Sequence, residues 1–334
     1  MRYIDVFNGD ADGLIARHQF RLSFPVPYGK LTLVTGPKRD VSLLSGVDMG
    51  SVADDAVDIS VFDISYDQNA QSVLRLLEAG AILRYFDHHR ASQLRRHSRL
   101  ITYIDTSPYL CTGLIVDRYL GGAHRPWAIA AAFGDNLTDI AKGLAAKAKM
   151  SLGQILLLQQ LGECLNYNAY GESISDLHYP PEDIARRMMP YRSPFEFAHH
   201  EDIFHHLQIG FAADLRHAQG IPPLHASRVA AVYVLPDERW ARRISGAFAN
   251  RLVHSHTRRA HAVLSRVANG TLTVSIRAPQ DNPHGADTIA IQFTHGGGRA
   301  AAAGINNLAA PDIARLVSLL EQTYRTPPAS VDEN

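Results

Sequence analysis

Residues 81–90, Ala81-Ile82-Leu83-Arg84-Tyr85-Phe86-Asp87-His88-His89-Arg90, place one acidic residue and two imidazoles directly after an apolar run. The run is typical of a buried β-strand. A strand that ends in Asp-His-His puts metal-type ligands at the carboxyl edge, where open α/β sheets carry their sites. With 17 histidines in the sequence, adjacent pairs such as His199-His200 also occur elsewhere. The significance of the triplet therefore depends on whether carboxylates end other strands.

Two aspartates follow the first predicted strand. Residues 3–7 are predicted to be a strand, which Asn8-Gly9 breaks, and Asp10 and Asp12 then precede a helical pattern that begins at Leu14. Asp12 could act as the helix N-cap. Two aspartates at i and i+2 of one turn can also point into one shared space, which capping does not require.

Asp63 and Asp135 stand at two further element ends. The strand predicted over 58–64 ends near Asp63, and a predicted apolar helix is interrupted at Asp135. Asp139 is the alternative to Asp135, and we favour Asp135 because Gly134 and the apolar run precede it. Together with the Asp10/Asp12 turn and the triplet, Asp63 and Asp135 make four acidic turns at element ends.

The spacing of the elements predicts an α/β fold with a parallel sheet covered on both faces. Strands or helices are also expected over 31–35, 68–78, 81–86, 101–104, 111–120 and 127–133. In such a sheet the carboxyl ends of the strands share one edge, so the acidic turns can converge although they are far apart in sequence.

The second half of the chain is predicted to hold a smaller α/β domain. Residues 141–162 are expected to be helical, and 167–223 are irregular and punctuated by prolines, with helices inside this stretch. A strand, a helix, a hairpin turning at Asn269-Gly270 and a final helix are predicted over 229–235, 238–253, 262–277 and 311–324. We predict a first domain over 1–190, a connector over 191–225, a second domain over 226–325 and a disordered tail over 326–334.

Composition excludes several classes of protein. The 33 basic residues balance 33 acidic ones, so no global charge favours nucleic acid. Cys111 and Cys164 provide neither a disulfide framework nor the cysteine spacing of a metal-binding finger. They are expected to be small core residues. The N-terminal segment lacks the apolar core of a signal peptide, and no 18-residue apolar run is present. We expect a cytoplasmic protein with no membrane partner.

The acidic turns suit a particular metal chemistry. Five carboxylates and two imidazoles from these ends are suited to two divalent cations about 3.5–4 Å apart, the arrangement that handles phosphoryl displacement. Carboxylate oxygen with some imidazole favours Mn²⁺ or Mg²⁺ over a thiolate-bound zinc ion.

With these residues the chain resembles the DHH phosphoesterase superfamily, including its nanoRNase, short-oligonucleotide and exopolyphosphatase-like branches. The last third is similar to the DHHA1 substrate domain of that family. The motifs that carry the resemblance are Asn8-Gly9-Asp10-Ala11-Asp12-Gly13, Val61-Phe62-Asp63, Asp87-His88-His89, Ala132-Phe133-Gly134-Asp135, Ser275-Ile276-Arg277, and Gly296-Gly297-Gly298 followed by Ala302-Ala303-Gly304.

The resemblance implies a role for each matching residue. The implied metal ligands are Asp10, Asp12, Asp63, His88 and Asp135, with Asp63 as the bridge between two cations. His89 matches a position that contacts the scissile phosphate or completes the site, and Asp87 would orient an imidazole. The implied substrate-binding residues are Arg277, Gly296, Gly297, Gly298 and Arg299, with the glycines forming a loop.

The sequence departs from the family pattern at two places. Many relatives have an acidic residue or histidine where Asn8 or Gly9 stands, so one cation is expected to be held more weakly. The histidine that closes the glycine loop in relatives is Arg299 here, and an arginine keeps its charge but cannot exchange a proton.

The resemblance implies a metal-dependent phosphodiesterase of short oligonucleotides or dinucleotides, with its active site in an interdomain cleft. The alternatives are an inorganic polyphosphate or pyrophosphate hydrolase and a non-catalytic nucleotide-binding module. A short phosphorylated nucleotide is the expected substrate, and pairing of two chains into a homodimer stays open.

Two histidine-rich segments have alternative interpretations. The segment 199–206 could bind a metal, but we favour a polar face or interdomain surface. The segment 254–259, with two histidines and two arginines, could be a basic lip for a polyanion or a solvated surface.

Overall fold

The structure is a computed structural model that describes residues 1–48, 56–92, 94–267 and 269–325. The chain divides into two compact units, Met1–Gly210 and Phe211–Asn334. The division lies inside the predicted connector 191–225. The predicted tail 326–334 is outside the described residues.

A five-stranded parallel sheet forms the centre of the first unit, with the strand order β2-β1-β3-β4-β5. Its strands are β1 (Arg2–Asn8), β2 (Leu31–Gly36), β3 (Val57–Phe62), β4 (Ile82–Asp87) and β5 (Leu100–Ile104). The chain leaves β1 for β2 on one side and returns to β3 on the other. The carboxyl ends of β1 and β3 therefore flank a topological switch point, where ligands bind in open α/β sheets.

Helices of the first unit cover both faces of this sheet. They are α1 (Ala11–Ser23), α2 (Tyr66–Glu78), α3 (Thr112–Tyr119), α4 (Arg125–Gly134), α5 (Thr138–Lys147), α6 (Leu152–Ala169), α7 (Pro181–Met188), α8 (Pro194–His200) and α9 (Asp202–Gln219), which extends past the division. Short 3-10 turns lie at Tyr28–Lys30, Leu43–Gly46 and Ile174–Asp176. Every residue of β3 is buried, as expected for a central parallel strand.

The two faces of the sheet have different partners. Val73 and Leu76 of α2 pack in one cluster with alternate residues of β1, β3 and β4. On the opposite face, the Phe20 ring of α1 lies 5.4 Å from that of Phe62 and 5.6 Å from that of Phe86. The predicted fold class is confirmed: the sheet is parallel and lies between two layers of helices.

The stretch 141–162, predicted to be helical, is divided between two helices, α5 and α6, by a break after Lys147. Lys149 has a φ of 54°, a left-handed conformation that a helix cannot contain. Ser151 then starts α6 through a capping box with Gln154.

A six-stranded mixed sheet forms the centre of the second unit, in the order β10-β11-β9-β8-β7-β6. Its elements are β6 (His225–Ala226), β7 (Ala230–Leu235), α10 (Arg239–Ser255), β8 (Ala260–Arg266), β9 (Leu272–Arg277), α11 (Ala286–Ala290), β10 (Gly296–Arg299), β11 (Ala302–Leu308), a 3-10 turn (Ala310–Asp312) and α12 (Ile313–Arg325). The predicted hairpin is confirmed, because β8 and β9 pair antiparallel.

The glycine segment predicted to be a loop is instead the edge strand β10. Its four residues pair with β11, from Gly296 opposite Ile305 to Arg299 opposite Ala302. Glycine is required at the start of this strand, since a Cβ on Gly296 would lie 1.8 Å from the carbonyl oxygen of Ala290. The prediction of a loop is therefore wrong.

Among the described residues, no helix is long and apolar enough to cross a membrane.

A buried ion pair joins β1 to α1. Arg17 Nε donates to Asp5 Oδ2 at 2.8 Å, and both side chains are fully buried. Arg21 Nη2 contacts the other oxygen of Asp5 at 2.5 Å. Removal of Asp5 would leave a buried guanidinium without its carboxylate.

We predict that Asp5→Ala lowers the free energy of unfolding by about 3–5 kcal/mol in urea titrations. Asp105→Ala is the matched control, because its pair with Arg118 is exposed and 3.5 Å long. That control should cost about 1 kcal/mol or less. Equal losses in the two variants would contradict a structural role for the buried pair.

Candidate metal centre

The turn after β1 carries the first two predicted ligands. Asp10 is the N-cap of α1, and its Oδ1 accepts from the backbone N–H groups of Asp12 at 3.0 Å and Gly13 at 3.1 Å. The capping role considered for Asp12 therefore belongs to Asp10. Asp12 points elsewhere, toward the start of α3.

The start of α3 holds the Asp12 carboxylate. Asp12 Oδ2 accepts from the N–H of Thr112, and Oδ1 accepts from that of Gly113, both at 2.7 Å. Unpaired N–H groups and the helix dipole favour negative charge at this position. A Cβ on Gly113 would lie 2.6 Å from Ala131 Cβ and 3.1 Å from Asp12 Oδ1. Glycine at 113 therefore lets the helix start approach the carboxylate.

Asp63 follows β3 in a strained conformation. Its φ is 59°, which is uncommon for a residue with a side chain. Thr112 Oγ1 donates to Asp63 Oδ1 at 3.1 Å. The same oxygen lies 3.3 Å from His88 Nε2 and 3.8 Å from His89 Nδ1. The Asp63 carboxylate is thereby placed between α3 and the end of β4.

Hydrogen bonding fixes the orientation of the His88 ring. His88 Nδ1 is 3.1 Å from the Leu110 carbonyl oxygen, which only accepts, so Nδ1 carries a proton. Nε2 consequently faces the carboxylates, at 3.3 Å from Asp63 Oδ1 and 4.0 Å from Asp12 Oδ2. Asp135 Oδ2 lies 3.9 Å from Nδ1. Nε2 is the nitrogen that is placed to bind a metal.

Asp87 orients the other imidazole. Its Oδ1 lies 2.7 Å from His89 Nδ1, and Asp87 is fully buried, whereas the His89 side chain is 44% exposed. Asp87 Oδ2 has no hydrogen-bond partner within the described residues. A buried carboxylate thus supports an accessible imidazole.

The pKa values of these groups indicate a shortage of positive charge. Burial and the neighbouring Asp63 carboxylate raise the pKa of Asp12 to about 8. Burial, followed by Asp10, raises the pKa of Asp63. Burial would lower the pKa of His88, but its hydrogen bond to Asp63 and the surrounding carboxylates raise it to about 10.

This donor set fits a divalent cation. Asp63, His88 and His89 each offer a ligand atom, and these atoms lie within 4.8 Å of one another. A cation would take over the role of the proton on His88 and relieve the repulsion among the carboxylates. Oxygen donors with imidazole suit Mn²⁺ or Mg²⁺.

The alternatives weighed from the sequence lie apart from this cluster. Asp139 is exposed in the first turn of α5. The rings of His199 and His200 meet edge to face, those of His205 and His206 are tilted at 6.5 Å, and His206 Nδ1 lies 2.6 Å from the Tyr179 hydroxyl. Within the described residues they form no group of three ligands that could hold a metal.

Lys38 was not among the site residues predicted from the sequence. Its ammonium forms an ion pair with Asp10 Oδ2 and donates to Asn166 Oδ1 at 3.0 Å. The available signal was its position, because Lys38 comes two residues after the end of β2, on the same sheet edge as the acidic turns. Thr112 and Gly113 were also missed, since their roles depend on where α3 begins.

The second unit aligns the predicted arginines on one sheet face. Arg277 of β9 lies opposite Ala302 of β11, which lies opposite Arg299 of β10. Directly paired residues lie on the same face of a sheet, so both arginines point to the same side. Because β11 lies between their two strands, the Cα atoms of the arginines are about 10 Å apart. Arg277 Nε donates to Asn250 Oδ1 at 2.6 Å. The intervening alanine leaves room between the two guanidinium groups.

His261 of β8 is also paired directly with Arg277, on the side away from Ala302, so it lies on the same face of the sheet. It is fully buried, and neither ring nitrogen makes a hydrogen bond of good geometry to the described residues. Burial, together with His256 and Arg259, lowers the pKa of His261 to about 4, so the ring is neutral at pH 7.

We predict that Gly113→Ala lowers the free energy of unfolding by about 1–3 kcal/mol, because the new methyl group overlaps Ala131 and pushes α3 away from Asp12. Gly143→Ala is the control, since nothing lies within 4 Å of its Cβ position in α5. That change should be neutral or stabilise by up to about 1 kcal/mol. Urea unfolding measures both, and identical behaviour would refute the packing role of Gly113.

The sequence matches no protein-family model and no curated protein. Solved structures do match. The manganese-bound exonuclease RecJ has a TM-score of 0.57 and 17% identity, over 100% of this chain and 92% of its own. A DHH domain from a family of ribosomal proteins has a TM-score of 0.64 and 12% identity, over 98% of this chain and 87% of its own.

A third similar structure is the pGpG-specific phosphodiesterase PggH from Vibrio cholerae, with a TM-score of 0.53 and 13% identity over 97% of this chain and 99% of its own. These likenesses span both units and establish the fold. The fold implied by the resemblance is thereby confirmed, because the chain shares the fold of these structures, one of which is a DHH domain.

Proposed function

We propose that the chain is a divalent-cation-dependent phosphoesterase that hydrolyses phosphodiester bonds in short oligonucleotides or dinucleotides. The observation that carries the proposal is the convergence of Asp63, His88 and His89, whose ligand atoms lie within 4.8 Å of one another at the carboxyl ends of β3 and β4. Two buried carboxylates of this edge, Asp12 and Asp63, have raised pKa values, and a cation would relieve the repulsion that contributes to them.

In the first unit, some residues would bind the cations and others would contact the phosphate or position the ligands. Two cations would be held by Asp10, Asp12, Asp63, His88 and Asp135, with Asp63 shared between them. Bound cations of this kind acidify a water molecule and stabilise charge on the phosphoryl group. His89, held by Asp87 and partly exposed, would contact a phosphate oxygen. Thr112 and Gly113 keep Asp63 and Asp12 in position.

The second unit would recognise the substrate. Arg277 and Arg299 share a sheet face, and arginine binds phosphate oxygens in a bidentate manner. Two such groups about 10 Å apart suit a ligand with few phosphates rather than a long polymer. The balanced net charge agrees with this choice, because a footprint for long nucleic acid would require a basic surface. RecJ is an exonuclease and PggH a pGpG-specific phosphodiesterase, which supports a nucleotide substrate.

A panel of substrates tests the proposed reaction. With Mn²⁺, the purified chain should release mononucleotides from a 5′-phosphorylated dinucleotide, and a chelator should abolish the release. Asp63→Asn keeps the size of the side chain but removes its charge, and it should reduce turnover at least about a hundredfold. Release of phosphate from polyphosphate with no cleavage of dinucleotides would support the polyphosphatase alternative. Full turnover by Asp63→Asn would refute the metal assignment.

We also predict that Arg299→Ala raises KM for phosphate-terminated dinucleotides by about ten- to a hundredfold, the loss expected for one charge-assisted contact. Metal content should not change. Arg266→Ala, at an exposed position on the same sheet, is the matched control and should leave KM unaltered. An equal loss for dinucleotides that lack the terminal phosphate would contradict an anion-binding role for Arg299.

A further inference from the structure

The two oxygens of Asp10 are already engaged by the protein. Oδ1 accepts two backbone N–H groups at the start of α1, at 3.0 and 3.1 Å. Oδ2 forms the ion pair with Lys38. The Asp10 carboxylate is therefore contacted on both oxygens by hydrogen-bond donors, one of which is a lysine ammonium. Asp10 thus already has a positively charged partner.

Lys38 is fixed in this place from several directions. Its ammonium donates to Asn166 Oδ1 at 3.0 Å and lies 5.5 Å from the centre of the Tyr170 ring. Its backbone N–H donates to the Ala169 carbonyl at 2.9 Å. All three partners belong to the end of α6 or directly follow it, so the helix end positions the lysine. Only 25% of the Lys38 side chain is exposed.

Asn8 connects the lysine to the aspartate turn. Its Nδ2 donates to the Lys38 carbonyl at 3.2 Å, and its Oδ1 accepts from the Asp10 N–H at 3.2 Å. Both ends of this side chain therefore bind backbone groups. Asn8 thereby links the backbone of Lys38 to the backbone of Asp10.

The surroundings of Asp63 are different. In the part of the chain that the structure describes, the ion pairs of Asp63 are with the imidazoles of His88 and His89, not with lysine or arginine. An imidazole nitrogen can itself serve as a metal ligand, whereas a lysine ammonium can only be moved away. A cation near Asp63 therefore meets a further ligand, but a cation on Asp10 Oδ2 has to displace a fixed ammonium group.

We propose that Lys38 makes the two cation positions of this centre unequal. This inequality rests on the proposed function and deepens it. The tighter cation would be held by Asp63 and His88, away from Lys38. Lys38 serves as the resident positive charge on Asp10, so a second cation binds there only after the ammonium leaves. Lys38 is thus a positioning residue that acts through Asp10.

Titration of the metal-free full chain with Mn²⁺ tests this proposal without any turnover. Calorimetry gives the affinities, and elemental analysis after desalting gives the number of retained ions. The wild-type chain should retain one Mn²⁺ and bind a second at least about tenfold more weakly. Lys38→Met removes the charge but keeps an unbranched stem, and it should tighten the second site at least about tenfold.

Two variants separate this effect from a general structural one. Lys38→Arg keeps the charge and should keep the gap between the two affinities. Lys142→Met, at an exposed position in α5, makes the same change in net charge and should behave as wild type. If Lys38→Met does not fold, as judged by circular dichroism, Asn166→Ala decides the question. That variant releases the ammonium from one partner, and it should tighten the second site by a smaller factor.

Two equal Mn²⁺ sites in the wild-type chain would overturn the proposal, as would an unchanged second affinity in Lys38→Met and Asn166→Ala. Either result would leave phosphodiester hydrolysis intact. Failure of the wild-type chain to bind any Mn²⁺ would instead overturn the proposed function together with this inference.

Discussion

Buried carboxylates gathered at one edge of a parallel sheet determine how the first unit is built. Such groups are costly to bury unless positive charge or N–H donors face them. The start of α3 supplies two N–H groups to Asp12, Lys38 supplies an ammonium to Asp10, and His88 supplies an imidazole to Asp63. The raised pKa of Asp12 and Asp63 shows that these partners compensate the charge only in part.

Packing around the edge follows from this concentration of charge. The backbones must approach closely for N–H groups to reach the carboxylates, and glycines make that approach feasible. Gly113 faces Ala131 and Asp12, and a Cβ on Gly134 would lie 2.4 Å from Ala11 Cβ, so α1, α3 and α4 meet without intervening side chains. The strained φ of Asp63 belongs to the same arrangement, since it turns the carboxylate toward Thr112 and the two imidazoles.

Local patterns were sufficient to predict most strands, the parallel sheet and the acidic turns, because strand periodicity and turn residues are properties of short segments of the sequence. Lys38 could not be found in this way, since its significance comes from contacts with Asn166 and Asp10, far apart in sequence. The break between α5 and α6 was missed because it depends on one left-handed residue, Lys149. Likewise, Gly296–Arg299 suggested a loop, but pairing with β11 makes it a strand.

If the sheet edge is a metal centre built on Asp63 and His88, crystals grown with Mn²⁺ should hold the ion there. Anomalous diffraction is the decisive measurement, because the scattering locates manganese independently of activity. We expect a strong manganese peak within bonding distance of an Asp63 carboxylate oxygen and His88 Nε2. A peak only at the histidine-rich segment 199–206, or no peak at the sheet edge, would show that these residues do not form a metal centre.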